Sequence, residues 1–253
     1  MNKPQAQGNI WDRKWKGIDI LQFKEEAFIF DLWTRFHVPL VEKYLSKLNK
    51  GSLFLEAGCG MGQWCFYAAK KYKVKAIGVD IAAENINRLK RLCSQENQEL
   101  EFRFDDLVNS GLESNSCEMF VSLGVIEHSP DFSLMVKNLY RVLKPGGIGI
   151  ITVPNYYAVH TFTRTLLQLC GKWDIGYERS FSLHGLRRLV LNAGFKIIES
   201  GILPTGELFG SFLNNLPLFG GLIRRMGLHI ESMQSIFGFI IFVVVEKNGL
   251  PNA

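Results

Sequence analysis

The sequence predicts an α/β fold: a doubly wound, mostly parallel seven-stranded sheet with a helical N-terminal cap and lid insertions. Three observations carry that expectation. Between Ser52 and Pro154, short apolar runs alternate with amphipathic stretches, and such strand–helix–strand repetition implies parallel pairing through right-handed crossovers. A turn of alternating glycines, "GCGMG" at 58–62, separates the first run from the helix after it. The longest apolar run, "IFGFIIFVVV" at 236–245, is about half the ~20 residues of a spanning helix and is rich in β-branched and aromatic side chains, so it reads as a buried strand.

The bulk numbers are those of one globular domain over 1–253. Of 253 residues, 47% are apolar and 21% charged, which excludes a disordered chain. Lys and Arg number 29 against 24 Asp and Glu, a formal charge of +5, too mild to name a partner. No basic stripe interleaves with aromatics, so nucleic acid is not expected. Cys59, Cys65, Cys93, Cys117 and Cys170 contain no C-x-x-C pair, so neither a metal site nor a disulfide framework is expected. The start "MNKPQAQGNI" has no apolar core of a secretory signal, and a reducing cytoplasm fits best.

The elements follow in order. Residues 1–50 form the cap: after a polar start, Leu21, Phe28, Leu32 and Phe36, then Leu40, Tyr44 and Leu48, recur at helical spacing, with a break at Pro39. The core, 51–154, has strands at 53–57, 75–80, 100–106, 118–124 and 147–154, with a helix at 131–143 before the fifth. An aromatic, histidine-containing segment at 155–180 comes next, then a helix opened by Ser182 and closed near Gly194, and a strand at 195–200. A second long connection, 201–235, precedes the last strand at 236–247. Connections this long are commonly functional.

Glycines between a strand and a helix permit positive φ and close ligand approach, and the helix offers free N–H groups. Dinucleotide binding asks for G-x-G-x-x-G, whereas here Gln63 stands where the third glycine should be. Asp80 ends the next run about twenty residues on, in reach of ribose hydroxyls. The competing reading is a tight turn with Asp80 capping the helix from near Ala82.

Together these residues resemble the class I S-adenosylmethionine-dependent methyltransferases over most of 51–154, more loosely to about 200 and at the last strand. "LEAGCGMG" looks like the first motif, "GVDIA" the ribose-binding acid, "FDDL" the acid near the adenine, "SLGVIEHSPD" the fourth-strand motif and "VLKPGGIGIITVPN" the fifth-strand region. The resemblance implies an antiparallel last strand in the sheet and S-adenosylmethionine as cofactor, with Glu56, Gly58, Gly60 and Gly62 at its methionine end and Asp80 on the ribose. It further implies Asp106, with Asp105 as competitor, at the adenine amino group, Ile81 and Leu107 about the adenine ring, and Leu123 and Gly124 beneath the sulfonium.

Methyl transfer needs positioning and water exclusion first, and a base only for a weak nucleophile. His128, after the fourth strand, and His160, after the fifth, are the candidate catalytic residues. Shaping a loop and packing an aromatic lid are their competing roles. Tyr156, Tyr157 and Phe162 are candidate pocket walls, and Glu178 and Arg179 are acceptor contacts or surface charges. In 207–230, Leu208, Phe209, Phe212, Leu213 and Leu216 share a helical face ahead of Arg224 and Arg225, which suits a lipophilic or lipid-linked acceptor or peripheral membrane contact. The alternative is that they cover an enlarged core. The expected activity is methyl transfer to a small molecule, at oxygen. A non-catalytic cofactor-binding module and a nicotinamide-dependent oxidoreductase are the rivals.

Overall fold

The computed structural model describes residues 3–18, 34–96, 100–203 and 238–249. Seven strands make one sheet in the order β3-β2-β1-β4-β5-β7-β6. They are β1 (Leu53–Ala57), β2 (Lys75–Asp80), β3 (Leu100–Phe104), β4 (Cys117–Leu123), β5 (Leu143–Pro154), β6 (Lys196–Ile202) and β7 (Ile240–Glu246). β1 to β5 pair in parallel, and β7 runs antiparallel between β5 and β6.

The helices are α1 (Lys3–Trp15), α2 (Thr34–Leu45), α3 (Gln63–Tyr72), α4 (Ala83–Glu96), α5 (Phe132–Val142), α6 (Val159–Leu169) and α7 (Leu183–Asn192). Because the central strands are covered on both faces, they read as unbroken apolar runs, and successive residues go to opposite cores. Phe54, Met119, Ile150 and Val244 enter one core with Trp64, Ile86, Leu89 and Phe102. Their neighbours Leu55, Phe120, Ile151 and Val243 enter the other with Ile126, Leu139, Leu186 and Val190. From β1 the chain steps to β2 on one side and later to β4 on the other, so the carboxyl ends of β1 and β4 flank the place where an open α/β sheet binds ligands.

The polar start of the cap is α1; the carbonyls of Trp15, its last residue, and of Ile18 beyond it accept from the Arg88 guanidinium at 2.8 and 2.7 Å, meeting orphan acceptors of a helix end. Three sequence expectations are corrected. Pro39 does not break the second helix, since α2 runs through it. The lost N–H donor is outweighed by a continuous buried face of His37, Leu40, Val41, Tyr44 and Leu45. β3 stops at Phe104, two residues early, because Asp106 turns the chain by capping the short 3₁₀ turn Leu107–Asn109. β5 starts at Leu143, where Leu143 pairs with Cys117, and a bulge between Cys117 and Met119 absorbs the glycines.

Ser182 caps α7 by accepting from the Gly185 N–H at 3.1 Å. The segment after β5 contains α6. The apolar face and arginines expected at 207–230 lie outside the described residues. Among the described residues, no helix is long and apolar enough to cross a membrane.

Candidate functional site

The glycine loop follows β1 directly. Gly58, Gly60 and Gly62 all have positive φ, at 79°, 49° and 71°. A β-carbon on Gly58 would come within 2.4 Å of Val125 Cγ2, and one on Gly62 within 2.6 Å of the Phe102 ring, so glycine is demanded twice over at both. Gly62 precedes α3 and supplies no side-chain cap. Glu56 stands in for one: buried at the end of β1, its Oε2 accepts from the Cys65 N–H at 2.9 Å. Burial pushes its carboxyl up to about 8, against the pull of the Cys65 and Trp64 amides.

Asp80 lies opposite. Its Oδ2 accepts from the Gly60 N–H at 2.8 Å and its Oδ1 from the Ala82 N–H at 2.9 Å. Burial raises its carboxyl, and those amides oppose the shift. The turn and capping reading is therefore physically present, and the same carboxylate stands at the loop. Ile81 follows it, with its carbonyl close against Gly8 of α1.

Both acids closing β3 are engaged. Asp106 Oδ1 accepts from the Val108 N–H and Asp105 Oδ2 from the Gly111 N–H, while Asp105 Oδ1 is buried without a partner. Leu107 is buried with the core residues Val79 and Leu112. Leu123 and Gly124 end β4. Gly124 has φ 71°, and a β-carbon there would look onto Glu127 Oε1 at 3.5 Å.

α1 crosses this edge. Trp15 is the nearest group to a β-carbon placed on Gly60, at 3.0 Å. Asp12 accepts from the Asn85 N–H at 3.0 Å, and Asn85 in turn donates to the Gly60 carbonyl. Nothing in the spacing of 3–15 marks this contact; its only trace is Trp11 and Trp15 at i, i+4, stacked 6.0 Å apart.

The two histidines come together around Glu178. His128 Nδ1 lies 3.1 Å from the Tyr177 carbonyl. A carbonyl only accepts, so Nδ1 carries the proton and Nε2 keeps its lone pair. Burial pushes His128 below its usual range, and the Trp11 ring packs edge-on to it at 4.8 Å. His160 Nε2 donates to Glu178 Oε1 at 2.7 Å, and Arg164 donates to the same oxygen at 3.3 Å. Burial is the largest single influence and would raise Glu178, but the His160 bond together with the charges of His160, His128 and Arg164 holds the carboxylate below its ordinary range.

Sequence reasoning gave Glu127 and Arg164 no role of their own. The available signals were the Glu127-His128 dipeptide and the i, i+4 spacing of His160 and Arg164 on α6. Arg179 is exposed and donates its N–H to the Glu127 carbonyl at 2.9 Å. Tyr156, Tyr157 and Phe162 are exposed. His184, at the start of α7, is exposed as well. Among the described residues, no group of three or more His, Cys, Asp or Glu could hold a metal ion.

The sheet order and the glycine loop define a nucleotide-type α/β domain, and comparison with known proteins sharpens this. Residues 54–147 match the family described as "Methyltransferase domain". A stretch of 107 residues, 42% of the chain, is 30% identical to 2-methyl-6-phytyl-1,4-hydroquinone methyltransferase of Synechocystis sp., covering 33% of that protein. A stretch of 113 residues, 44% of the chain, is 27% identical to phosphoethanolamine N-methyltransferase 1 of Arabidopsis thaliana, covering 23% of it. The match thus spans a third or less of either relative's length.

Among solved structures, phosphoethanolamine N-methyltransferase 2 of Haemonchus contortus in complex with S-adenosyl-L-methionine superposes with TM-score 0.62 at 16% identity, covering 92% of this chain and 61% of that one. An S-adenosylmethionine-dependent methyltransferase from Mesorhizobium loti does so with TM-score 0.60 at 13% identity, over 84% and 98% of the two chains. At these identities the likeness shows the fold. Residues 54–147 thus match a methyltransferase domain, on the fold that these S-adenosylmethionine-dependent methyltransferases share, and the cofactor this indicates is S-adenosylmethionine. The glycine loop fits that cofactor: Gly58 and Gly60 turn the backbone at positive φ beside the half-buried carboxylate of Asp80.

Proposed function

We propose that the protein transfers a methyl group from S-adenosylmethionine to a hydroxyl oxygen of a small-molecule acceptor, with His128 as general base. In this reading Glu56, Gly58, Gly60 and Gly62 hold the methionine end of the cofactor, and Asp80 takes the ribose hydroxyls. Asp106, Ile81 and Leu107 meet the adenine, and Leu123 and Gly124 underlie the reacting carbon. When bound, the cofactor supplies an electrophilic methyl group on a sulfonium.

The observation that carries the oxygen assignment is the fixed tautomer of His128. With Nδ1 committed to the Tyr177 carbonyl, Nε2 is free to accept a proton, and the lowered pKa keeps it neutral near pH 7. The acceptor oxygen forms its bond to the methyl carbon as the carbon–sulfur bond breaks, and the hydroxyl proton passes to Nε2. A hydroxyl needs such help because it is a weak nucleophile until deprotonated. His160 is a positioning residue here, holding Glu178 beside Arg164. The exposed rings of Tyr156, Tyr157 and Phe162 and the exposed Leu169 support apolar surroundings for the acceptor, hence a lipophilic molecule.

The test is a calorimetric titration with S-adenosylmethionine and S-adenosylhomocysteine. A product screen follows, with methyl-labelled cofactor against lipid and polar metabolite fractions. Labelled ether or ester products that vanish with His128→Ala support the reading. Cofactor binding without transfer to any fraction favours a non-catalytic binding module, and stabilisation by NAD instead would sink both.

A further inference from the structure

Beside the cofactor loop lies a polar cluster that the cofactor motifs do not use. Glu127 is 2% exposed, and its Oε2 has no hydrogen-bond partner among the described residues. Its Oε1 stands 4.0 Å from His128 Nε2, too far for a hydrogen bond, and 3.5 Å from where a β-carbon on Gly124 would sit. Glu178, a second carboxylate, bears on Glu127 electrostatically, and its Oε1 already accepts from His160 and Arg164. Arg164 is 8% exposed, with its Nε–H unpartnered.

The carboxyl takes a hydrogen bond from its own backbone amide, but a buried oxygen left without a donor, as Oε2 is here, is costly, and native structures retain few of them. What relieves it is a ligand donor. One feature favours a cation over a neutral donor: two carboxylates, Glu127 and Glu178, stand here with one guanidinium, Arg164, which is already bonded to Glu178. Glu127 Oε1 and His128 Nε2 are both acceptors and are 4.0 Å apart, a separation that suits two donors on neighbouring carbons of one molecule.

We infer that Glu127 is the acceptor-binding group of this site and takes a protonated amine, so that the acceptor is a vicinal amino alcohol with its hydroxyl toward His128. The inference rests on the methyltransferase reading above and names its substrate class. Burial holds Glu127 well above the ordinary carboxylate range in the free protein, and the arriving ammonium supplies the counter-charge that lets it ionise.

The experiment uses the full chain saturated with S-adenosylhomocysteine, which lacks the sulfonium charge and adds the same α-ammonium to every titration. The probes are 2-amino-1-phenylethanol and its neutral isostere 1-phenylethane-1,2-diol, titrated against the parent and Glu127→Gln. The parent should favour the amine by about tenfold or more, and Glu127→Gln should bring the two within about threefold, with S-adenosylhomocysteine affinity and melting temperature retained. No amine preference in the parent, whether both probes bind or neither does, overturns the inference, and that comparison needs no variant to fold. An amine preference that persists in Glu127→Gln overturns it too. Failure of the parent to bind S-adenosylhomocysteine strikes the methyltransferase reading instead.

Discussion

Replacing Gly58 by alanine should destabilise the protein through two separable effects. Its φ of 79° is left-handed, and an L side chain there costs about 1–2 kcal/mol. The new methyl would lie 2.4 and 2.5 Å from Val125 Cγ2 and Cγ1, and overpacking of this kind costs about 1–3 kcal/mol. Together they amount to about 2–5 kcal/mol. For a chain of this size each kcal/mol lowers the melting temperature by about 2–4 °C, so a fall of roughly 4–20 °C is expected by calorimetry or circular dichroism. Val125→Ala removes both Cγ atoms and leaves Cβ, 3.0 Å from the new methyl. The double variant should therefore recover most of the steric part, a coupling of about 1–3 kcal/mol, while the backbone part persists. A Gly58→Ala protein that melts within about a degree of the parent would refute the reasoning, as would a cycle with no coupling.

Three further outcomes are expected. His128→Gln should lower kcat by about 10²–10⁴-fold. The parent's rate should fall as pH drops through a value below 6.5, because burial lowers the His128 pKa; a variant with the parent's pH–rate profile would remove the base. Asp80→Asn should weaken S-adenosylhomocysteine binding by roughly 10–100-fold if its charged hydrogen bonds are worth about 1.5–3 kcal/mol, as read by titration. Glu56 holds its proton up to about 8 in the folded protein, against 4.5 ordinarily. The folded state then binds the extra proton, so stability should decline as pH rises between those values. Glu56→Gln should flatten urea midpoints measured across that window, and an unchanged slope would contradict the assignment.

The parts of the fold readable in advance were those where local chemistry and tertiary packing agree. "LFLEA" and "KAIGVD" are buried on both faces and show it as unbroken apolar runs. Ser182 caps its helix through its own hydroxyl, a signal contained in four residues. Two of the misses arose where tertiary contacts overrode the local pattern: Pro39 sits inside a helix because six side chains of α2 are buried, and β5 starts early because Leu143 pairs with Cys117. The third was local, since the Asp106 cap that ends β3 early leaves no mark in an apolar run. The glycine loop and Asp80 belong to one chain neighbourhood and were legible together. The Glu127, His160, Arg164 and Glu178 cluster is assembled from three separated segments, and no spacing rule spans them.

The position of Trp15 has a consequence for traffic through the site. Its indole is the nearest group to the open side of Gly60, and its backbone carbonyl is tethered to α4 through Arg88. If Gly60 holds the cofactor as proposed, a ligand there sits against the indole, and its release is expected to depend on the first helix and its tether. A substitution as remote as Arg88→Ala should then change the S-adenosylhomocysteine dissociation rate, and an unchanged rate would separate the two.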